Sequence, residues 1–281
     1  MDVTGDTVVA AAVTALFVPG DRPERFARAA AAGADVVIID LEDAVAAESK
    51  AGALAAVLEA LAPADRNGGV QAVVRVNAMG SSRYDSEIAA LLALSEAPGN
   101  GLLGLMVPKA EDAVGLSRLG AGMPGGLALL PLVESAAGLV NALELARVPG
   151  VTRLAFGAID FALDINSADA DEFVAYARSH LVVASRAAGI AAPLDSPTTE
   201  MRDSQRVEAS ARLARDFGFG GKLCVHPVQL PAVQRAFAPT AEEVEWARSV
   251  IGAVGGATQV DGQMVDRPVT ERARRILHRA G

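Results

Sequence analysis

A (β/α)₈ barrel is the fold this sequence predicts, on three observations. Eight apolar runs rich in β-branched residues alternate with helix-like stretches along 281 residues. Several runs, such as Val36-Val37-Ile38-Ile39, are continuous rather than alternating, which marks parallel strands buried on both faces. Residues able to do chemistry collect at the run ends. Asp40, Glu42 and Asp43 close the second run, Arg75 the third, Lys109 the fourth, Glu134 the fifth, Asp160 the sixth and Asp195 the seventh. The C-terminal strand ends of such a barrel surround one site, so residues distant in sequence can meet there.

The predicted strands are Thr14–Gly20, Asp35–Asp43, Gln71–Asn77, Gly104–Lys109, Leu127–Ser135, Arg153–Asp160, Ala191–Pro197 and Gly220–Pro227. The apolar stretch Val8–Val18 reads as the lead-in to the first. Leu54, Val57, Leu58 and Leu61, at i, i+3, i+4 and i+7, define a helix after the second strand. Asp43 suits the N-cap of that helix. Asp203 caps the seventh helix, which stops at Gly218. Beyond Pro227 the repetition gives way to a short helix. A capping box, Thr240-Ala-Glu-Glu243, then opens a helix with Val244, Ala247 and Ile251 on one face. A hairpin around Asp261-Gly262 and a last helix from near Thr270 complete the chain. Residues 1–237 are therefore read as the catalytic barrel. Residues 238–281 form an extension that caps it or packs on a neighbouring subunit.

Hydrophobic content of 51% against 21% charge excludes a disordered chain. The net charge of −9, with no Lys/Arg cluster, argues against nucleic-acid or membrane partners. An acidic enzyme acting on an anion must supply local positive charge or a metal. The one cysteine, Cys224, permits no intrachain disulfide and fits a reducing cytoplasm, and it reads as an inert core thiol. Val8–Val18 resembles a short export signal, but Asp2 and Asp6 precede it without a basic residue. It is also too short to span a bilayer. A cytoplasmic protein is the expectation.

Glu134 and Asp160 each end a strong hydrophobic run, where an unpaired carboxylate is expensive. Two carboxylates without a Cys/His cluster suit a hard ion that keeps its waters, Mg²⁺ or, as a substitute, Mn²⁺. The competing reading pairs them with arginines or helix ends. Arg75, inside Val73-Val-Arg-Val-Asn77, must face an anion, and its fork suits a substrate carboxylate. An internal ion pair with Asp40 or Asp43 is the alternative, and both can hold together. Alternation points Asp40 and Glu42 to one side, as supports for Arg75 and for metal-bound water. His226, alone before Pro227, reads as a loop-bonding residue. No Ser–His–Asp or Cys–His arrangement and no phosphate loop is present.

Eight motifs occur in one order: Leu16-Phe-Val-Pro-Gly-Asp-Arg-Pro-Glu-Arg25, Asp40-Leu-Glu-Asp-Ala-Val45, Arg75-Val-Asn77, Val107-Pro-Lys109, Pro131-Leu-Val-Glu134, Phe156-Gly-Ala-Ile-Asp160, Gly218-Phe-Gly-Gly-Lys222 and Val225-His-Pro-Val-Gln229. Together they resemble the citrate lyase β-subunit-like acyl-CoA lyases of the HpcH/HpaI aldolase superfamily, over nearly the whole chain. The resemblance implies a Mg²⁺-binding TIM barrel that assembles as trimers or hexamers. It implies metal ligation by Glu134 and Asp160 and a 2-oxo acid held by Arg75. It also implies that Asp266, delivered to a neighbouring subunit's site, is a catalytic acid. Glu42 and Asp43 join the catalytic set as supports, and Arg22 and Arg25 suit the phosphates of CoA. Two departures stand out. Val13-Thr14 replaces a frequent Arg-Ser, and Asp164-Ile-Asn166 replaces a frequent Asp-Leu-Gly.

The reaction so implied is a retro-Claisen cleavage of a 3-hydroxy-carboxyacyl-CoA, of citramalyl-CoA or malyl-CoA type, to a 2-oxo acid and an acyl-CoA. Competing functions are a citryl thioester lyase β subunit, a malate-synthase-like thioesterase and a CoA-independent metal aldolase. A non-catalytic metabolite-binding subunit is the competitor from another class.

Overall fold

The computed structural model describes residues 4–63, 69–168, 171–253, 259–260 and 263–280. Eight parallel strands close in chain order: β1 (Thr14–Pro19), β2 (Val36–Asp40), β3 (Ala72–Arg75), β4 (Leu102–Val107), β5 (Ala128–Val133), β6 (Arg153–Phe156), β7 (Ala191–Asp195) and β8 (Gly221–Cys224). Closure places Ala15 of β1 opposite Leu223 of β8. Helices cover the outside, so the predicted barrel is the observed one.

The period-two alternation of a strand sorts the apolar residues into two layers. Ala15, Val36, Ile38, Val73, Met106, Leu130, Leu132, Ala155, Leu194 and Leu223 belong to the cluster that fills the barrel. Their neighbours Leu16, Val37, Ile39, Val74, Leu105, Leu129 and Leu154 pack beneath the helices. Continuing the inward parity upward delivers Asp40, Arg75 and Glu134 to the mouth. The same count sends Asp195, next to inward Leu194, to the outer layer. There its carboxylate is fully buried and bonds Lys222 at 2.7 Å and Arg178 at 3.1 Å. Asp195 thus fastens β7 to β8 and to the helix Asp171–Ala188, and does not belong to the ring of site residues.

The segment before β1 is a helix, Gly5–Ala11, rather than an extended lead-in. Val9 and Ala12 extend the inner cluster at the N-terminal end of the barrel. Arg153, at the start of β6, donates to the carbonyls of Val9 (3.0 Å), Ala12 (2.7 Å) and Ala192 (2.8 Å). Burial pushes this guanidinium down to about 9. At the same end Thr14 donates its backbone N–H and its hydroxyl to Asp35, both at 2.8 Å.

Asp203 accepts from the N–H groups of Gln205 and Arg206, and the helix Ser204–Phe217 ends at Gly218 with φ of 104°, a left-handed stop that suits glycine. Thr240 and Glu243 exchange the two bonds of a capping box. Val57 and Leu61 are buried on the helix Lys50–Leu61. The N-cap of that helix is Ser49, so Asp43 does not fill the role expected of it. The helices Ala241–Ala253 and Arg267–Ala280 share a small core of Ala247, Val250 and Ala273. Between them β9 (Gln259–Val260) and β10 (Gln263–Met264) pair antiparallel, as a hairpin requires, and the Asp261-Gly262 turn lies outside the described residues. Among the described residues, no helix is long and apolar enough to cross a membrane.

Candidate active site

The inward residues at the C-terminal strand ends open on a cleft of about 400 Å³. Asp40, Asp43, Arg75, Glu134 and Asp160 line it with Ser196, over apolar Phe17, Leu132 and Leu223. Arg75 stands at its centre. The Asp40 carboxylate takes its Nε at 2.7 Å and its Nη2 at 2.6 Å. Glu42 lies 3.0 Å from Nη1, and Asp43 lies 3.8 Å away on the exposed rim. Burial opposes the guanidinium charge, but the bonds to Asp40 outweigh it and hold the group above its ordinary range. A guanidinium has five N–H donors. Two of them bond Asp40, while Glu42 Oε2 beside Nη1 is paired by charge without a hydrogen bond, so each terminal nitrogen keeps a donor uncommitted. Of the two readings of Arg75, the internal ion pair is the one observed, and the residue also lines the cleft.

The acidic loop after β2 is fixed from behind. Asp40 also accepts the N–H groups of Glu42 (2.9 Å) and Ala44 (3.0 Å). Lys50 Nζ donates to the carbonyls of Leu41 and Glu42 and to Asn77, and Asn77 Nδ2 bonds the buried Glu87 at 2.6 Å. Phe17 lies under the Arg75 guanidinium, 4.9 Å from its ring centre.

Glu134 follows β5 and is 3% exposed. Burial pushes its carboxyl up to about 7; the Lys109 N–H, 2.8 Å from Oε1, opposes the rise, and the charges of Glu42 and Asp160 add to it. Asp160 is not on a strand, as predicted, but in the first turn of the helix Ala158–Asp164. β6 ends at Phe156, and Gly157 makes the bend. A Cβ at Gly157 would sit 2.7 Å from both Cβ and Oε2 of Glu134, so the bend needs glycine to leave room for the carboxylate. Ser196 Oγ accepts the N–H of Ala158 at 3.0 Å and sets that helix in place. Asn166 adopts φ of 54°, a left-handed conformation that asparagine tolerates.

A buried acid beside two others, above an apolar floor, is a site short of positive charge. No group of three or more His, Cys, Asp or Glu suited to a metal occurs among the described residues. Two carboxylates therefore fit a cation that keeps most of its waters and do not fit a cage-bound one.

Sequence reasoning underrated Lys109. Its φ of 47° is left-handed, which costs a residue with a side chain on the order of 1 kcal/mol. Its Nζ lies 2.6 Å from Glu42 Oε1. Burial disfavours that ammonium, yet the bond to Glu42 prevails and raises its pKa. Burial likewise pushes Glu42 up against the pull of Arg75. Three expected participants stand apart from the cleft. Arg22 and Arg25 are exposed around the turn Pro23–Arg25 that follows β1. Asp266 is exposed and caps the final helix by accepting the N–H of Val269. His226 bonds the Val228 N–H within its loop, and burial pushes the Cys224 thiol up to about 12.

The chain is thus a closed parallel barrel that brings Arg75, Glu134 and Asp160 to one cleft at its C-terminal mouth. The HpcH/HpaI aldolase/citrate lyase family model matches residues 14–227. A citrate lyase subunit beta-like protein of Mycobacterium tuberculosis is 37% identical, over 95% of this chain and 94% of its own. A (3S)-malyl-CoA thioesterase of Cereibacter sphaeroides is 32% identical, over 94% and 93%. The crystal structure of CitE from M. tuberculosis, in complex with magnesium, acetoacetate and coenzyme A, superposes with a TM-score of 0.82 at 36% identity, covering 97% of this chain and 99% of that one. The chain belongs to the HpcH/HpaI aldolase/citrate lyase family, and it is an enzyme of the carbon–carbon lyase class.

Proposed function

We propose that the protein cleaves a 3-hydroxyacyl-CoA carrying a carboxylate, of malyl-CoA or citramalyl-CoA type, into an acyl-CoA and a 2-oxo acid with the help of Mg²⁺. The observation that carries this reading is the placement of Arg75, with uncommitted donors on both terminal nitrogens, in one cleft with Glu134 and Asp160. Glu134 and Asp160 would hold the ion, which when bound supplies Lewis acidity toward a substrate hydroxyl and its adjacent carboxylate. Arg75, locked by Asp40 and Glu42, grips the carboxylate and keeps it as the 2-oxo acid forms. The substrate hydroxyl gives its proton to solvent water, its oxygen becomes the carbonyl of the 2-oxo acid, and the carbon–carbon bond yields its electron pair to the thioester side as an enolate. Asp266 of a neighbouring copy returns a proton to the enolate carbon. Arg22 and Arg25 take the CoA phosphates, residues 238–281 form the extension that carries Asp266, and a homotrimer or hexamer in the cytoplasm is the working form.

A Mg²⁺-supplemented panel of malyl-, citramalyl- and citryl-CoA tests the reading. A 2-oxo acid and an equal amount of acyl-CoA are expected from at least one thioester. Free CoA with the intact hydroxy acid would favour the thioesterase named among the relatives, and no product from any thioester sinks both readings.

The raised Glu134 carboxyl makes a second prediction. Below about pH 7 it holds a proton that Mg²⁺ must displace. Affinity for Mg²⁺ should therefore fall about tenfold per pH step below 7 and level off above it. Calorimetric titrations from pH 5.5 to 8.5 decide the matter; a flat profile removes Glu134 from the ion's ligands.

A further inference from the structure

The reaction as described leaves the Lys109 side chain without a task. Yet Lys109 holds a left-handed φ of 47°, a conformation in which glycine is unstrained and lysine is rare. The consequence is a residue that reaches in two directions. Its backbone N–H meets Glu134 Oε1 at 2.8 Å, while its Nζ meets Glu42 Oε1 at 2.6 Å. Glu42 passes the contact on, its Oε2 lying 3.0 Å from Arg75 Nη1. The pair is lopsided: the Lys109 side chain is 48% exposed and that of Glu42 7%, so a solvent-reached ammonium serves a buried carboxylate of the site. A glycine would keep the backbone bond with no strain. A strained residue that bridges two parts of a site points to function.

We propose that Lys109 is a positioning residue that sets the cation end of the cleft and the carboxylate clamp in register: its backbone fixes Glu134, and its ammonium fixes Glu42 so that Glu42 steadies Arg75. The contacts stand on their own, while the identity of the clamped ligand rests on the function proposed above. Without the ammonium, buried Glu42 has Arg75 as its remaining cation and turns that guanidinium away from the ligand. The cation end keeps its N–H and is spared.

Two variants separate the halves. Lys109→Gly keeps the left-handed backbone and removes the ammonium. Lys109→Ala removes the ammonium and penalises the backbone as well. Full-length protein is titrated calorimetrically with MgCl₂ alone, then with pyruvate at saturating Mg²⁺. Lys109→Gly should bind Mg²⁺ nearly as the wild type does and pyruvate about tenfold or more weakly, the usual scale for a residue supporting a ligand contact. Lys109→Ala should lose affinity for both, and Lys109→Arg should recover pyruvate binding. NMR of the Arg75 Nε–H needs no substrate: its exchange with solvent should quicken several-fold in Lys109→Gly and stay slow in Lys109→Arg. Wild-type pyruvate binding by Lys109→Gly, equal Mg²⁺ affinity in the glycine and alanine variants, or unchanged Arg75 exchange each overturns the proposal. A wild type that binds no pyruvate counts against the lyase function instead, and the Arg75 exchange then decides the role of Lys109.

Discussion

Glu134→Gln is expected to abolish Mg²⁺-dependent turnover and at the same time to make the metal-free protein more stable. The two effects have one cause. Glu134 is 3% exposed and lies close enough to Asp160 and Glu42 for their charges to act on it, so its ionised form is penalised in the fold. A carboxyl raised in the folded state from 4.5 to about 7 destabilises the fold above pH 7, and the penalty is relieved as pH falls toward 4.5. At pH 8 the displacement corresponds to about 3 kcal/mol. Glutamine keeps the shape and still accepts the Lys109 N–H, but has no charge to bury. The apo variant should melt about 5 °C higher than the wild type at pH 8, and the gain should shrink to about a quarter of that by pH 5. The same substitution removes a charged ligand, so kcat/KM should fall by about 10³ or more, roughly 4 kcal/mol of transition-state stabilisation. Thermal melts in EDTA beside steady-state kinetics in Mg²⁺ check both halves. A variant that is inactive and also less stable at pH 8 would mean that Glu134 is a structural acid.

Arg75→Ala carries the second large effect, and here stability and activity fall together. Asp40, 2% exposed, keeps the N–H groups of Glu42 and Ala44 but loses its cation. Breaking a buried pair from one side costs about 3 kcal/mol. Activity should drop about 10²–10³-fold, because the fork that receives the substrate carboxylate is gone. Arg75→Lys separates the two losses: an ammonium can stay beside Asp40 and recover most of the stability, but it cannot fork, so KM for the thioester stays high. Mixing Arg75→Ala with Asp266→Ala chains adds a test of the shared site. Each variant alone should be inactive, and co-assembled oligomers should regain part of the wild-type rate. Mixed oligomers that stay inactive would return the proton donor to the same chain.

The barrel was legible because its strands are buried on both faces, so Val36-Val37-Ile38-Ile39 and its counterparts stand out as unbroken apolar runs. The parity of those runs also carries the site. Inward Ile38, Val73 and Leu132 place Asp40, Arg75 and Glu134 at the mouth, and inward Leu194 excludes Asp195. Asp160 lies in a helix and not on a strand, because the glycine bend at 157 is a tertiary demand set by the Glu134 side chain. The start of the helix Lys50–Leu61 was misjudged because Asp40, not Asp43, takes the loop N–H groups. Lys109 stands at the end of the fourth run, but nothing in Val107-Pro-Lys109 signals its left-handed backbone. The Thr14–Asp35 and Arg153–carbonyl bonds at the far end join partners remote in sequence, beyond the reach of periodicity.

The central claim is that a carbon–carbon bond next to a thioester breaks here, leaving an enolate that is then protonated. Incubating the Mg²⁺-loaded protein with malyl-CoA or citramalyl-CoA in D₂O and following the products by NMR tests it most directly. The account predicts a 2-oxo acid and acetyl-CoA carrying one deuterium in its methyl group, formed in equal amounts and suppressed by EDTA. Free CoA and an undeuterated hydroxy acid, or acetyl-CoA without the label, would contradict it.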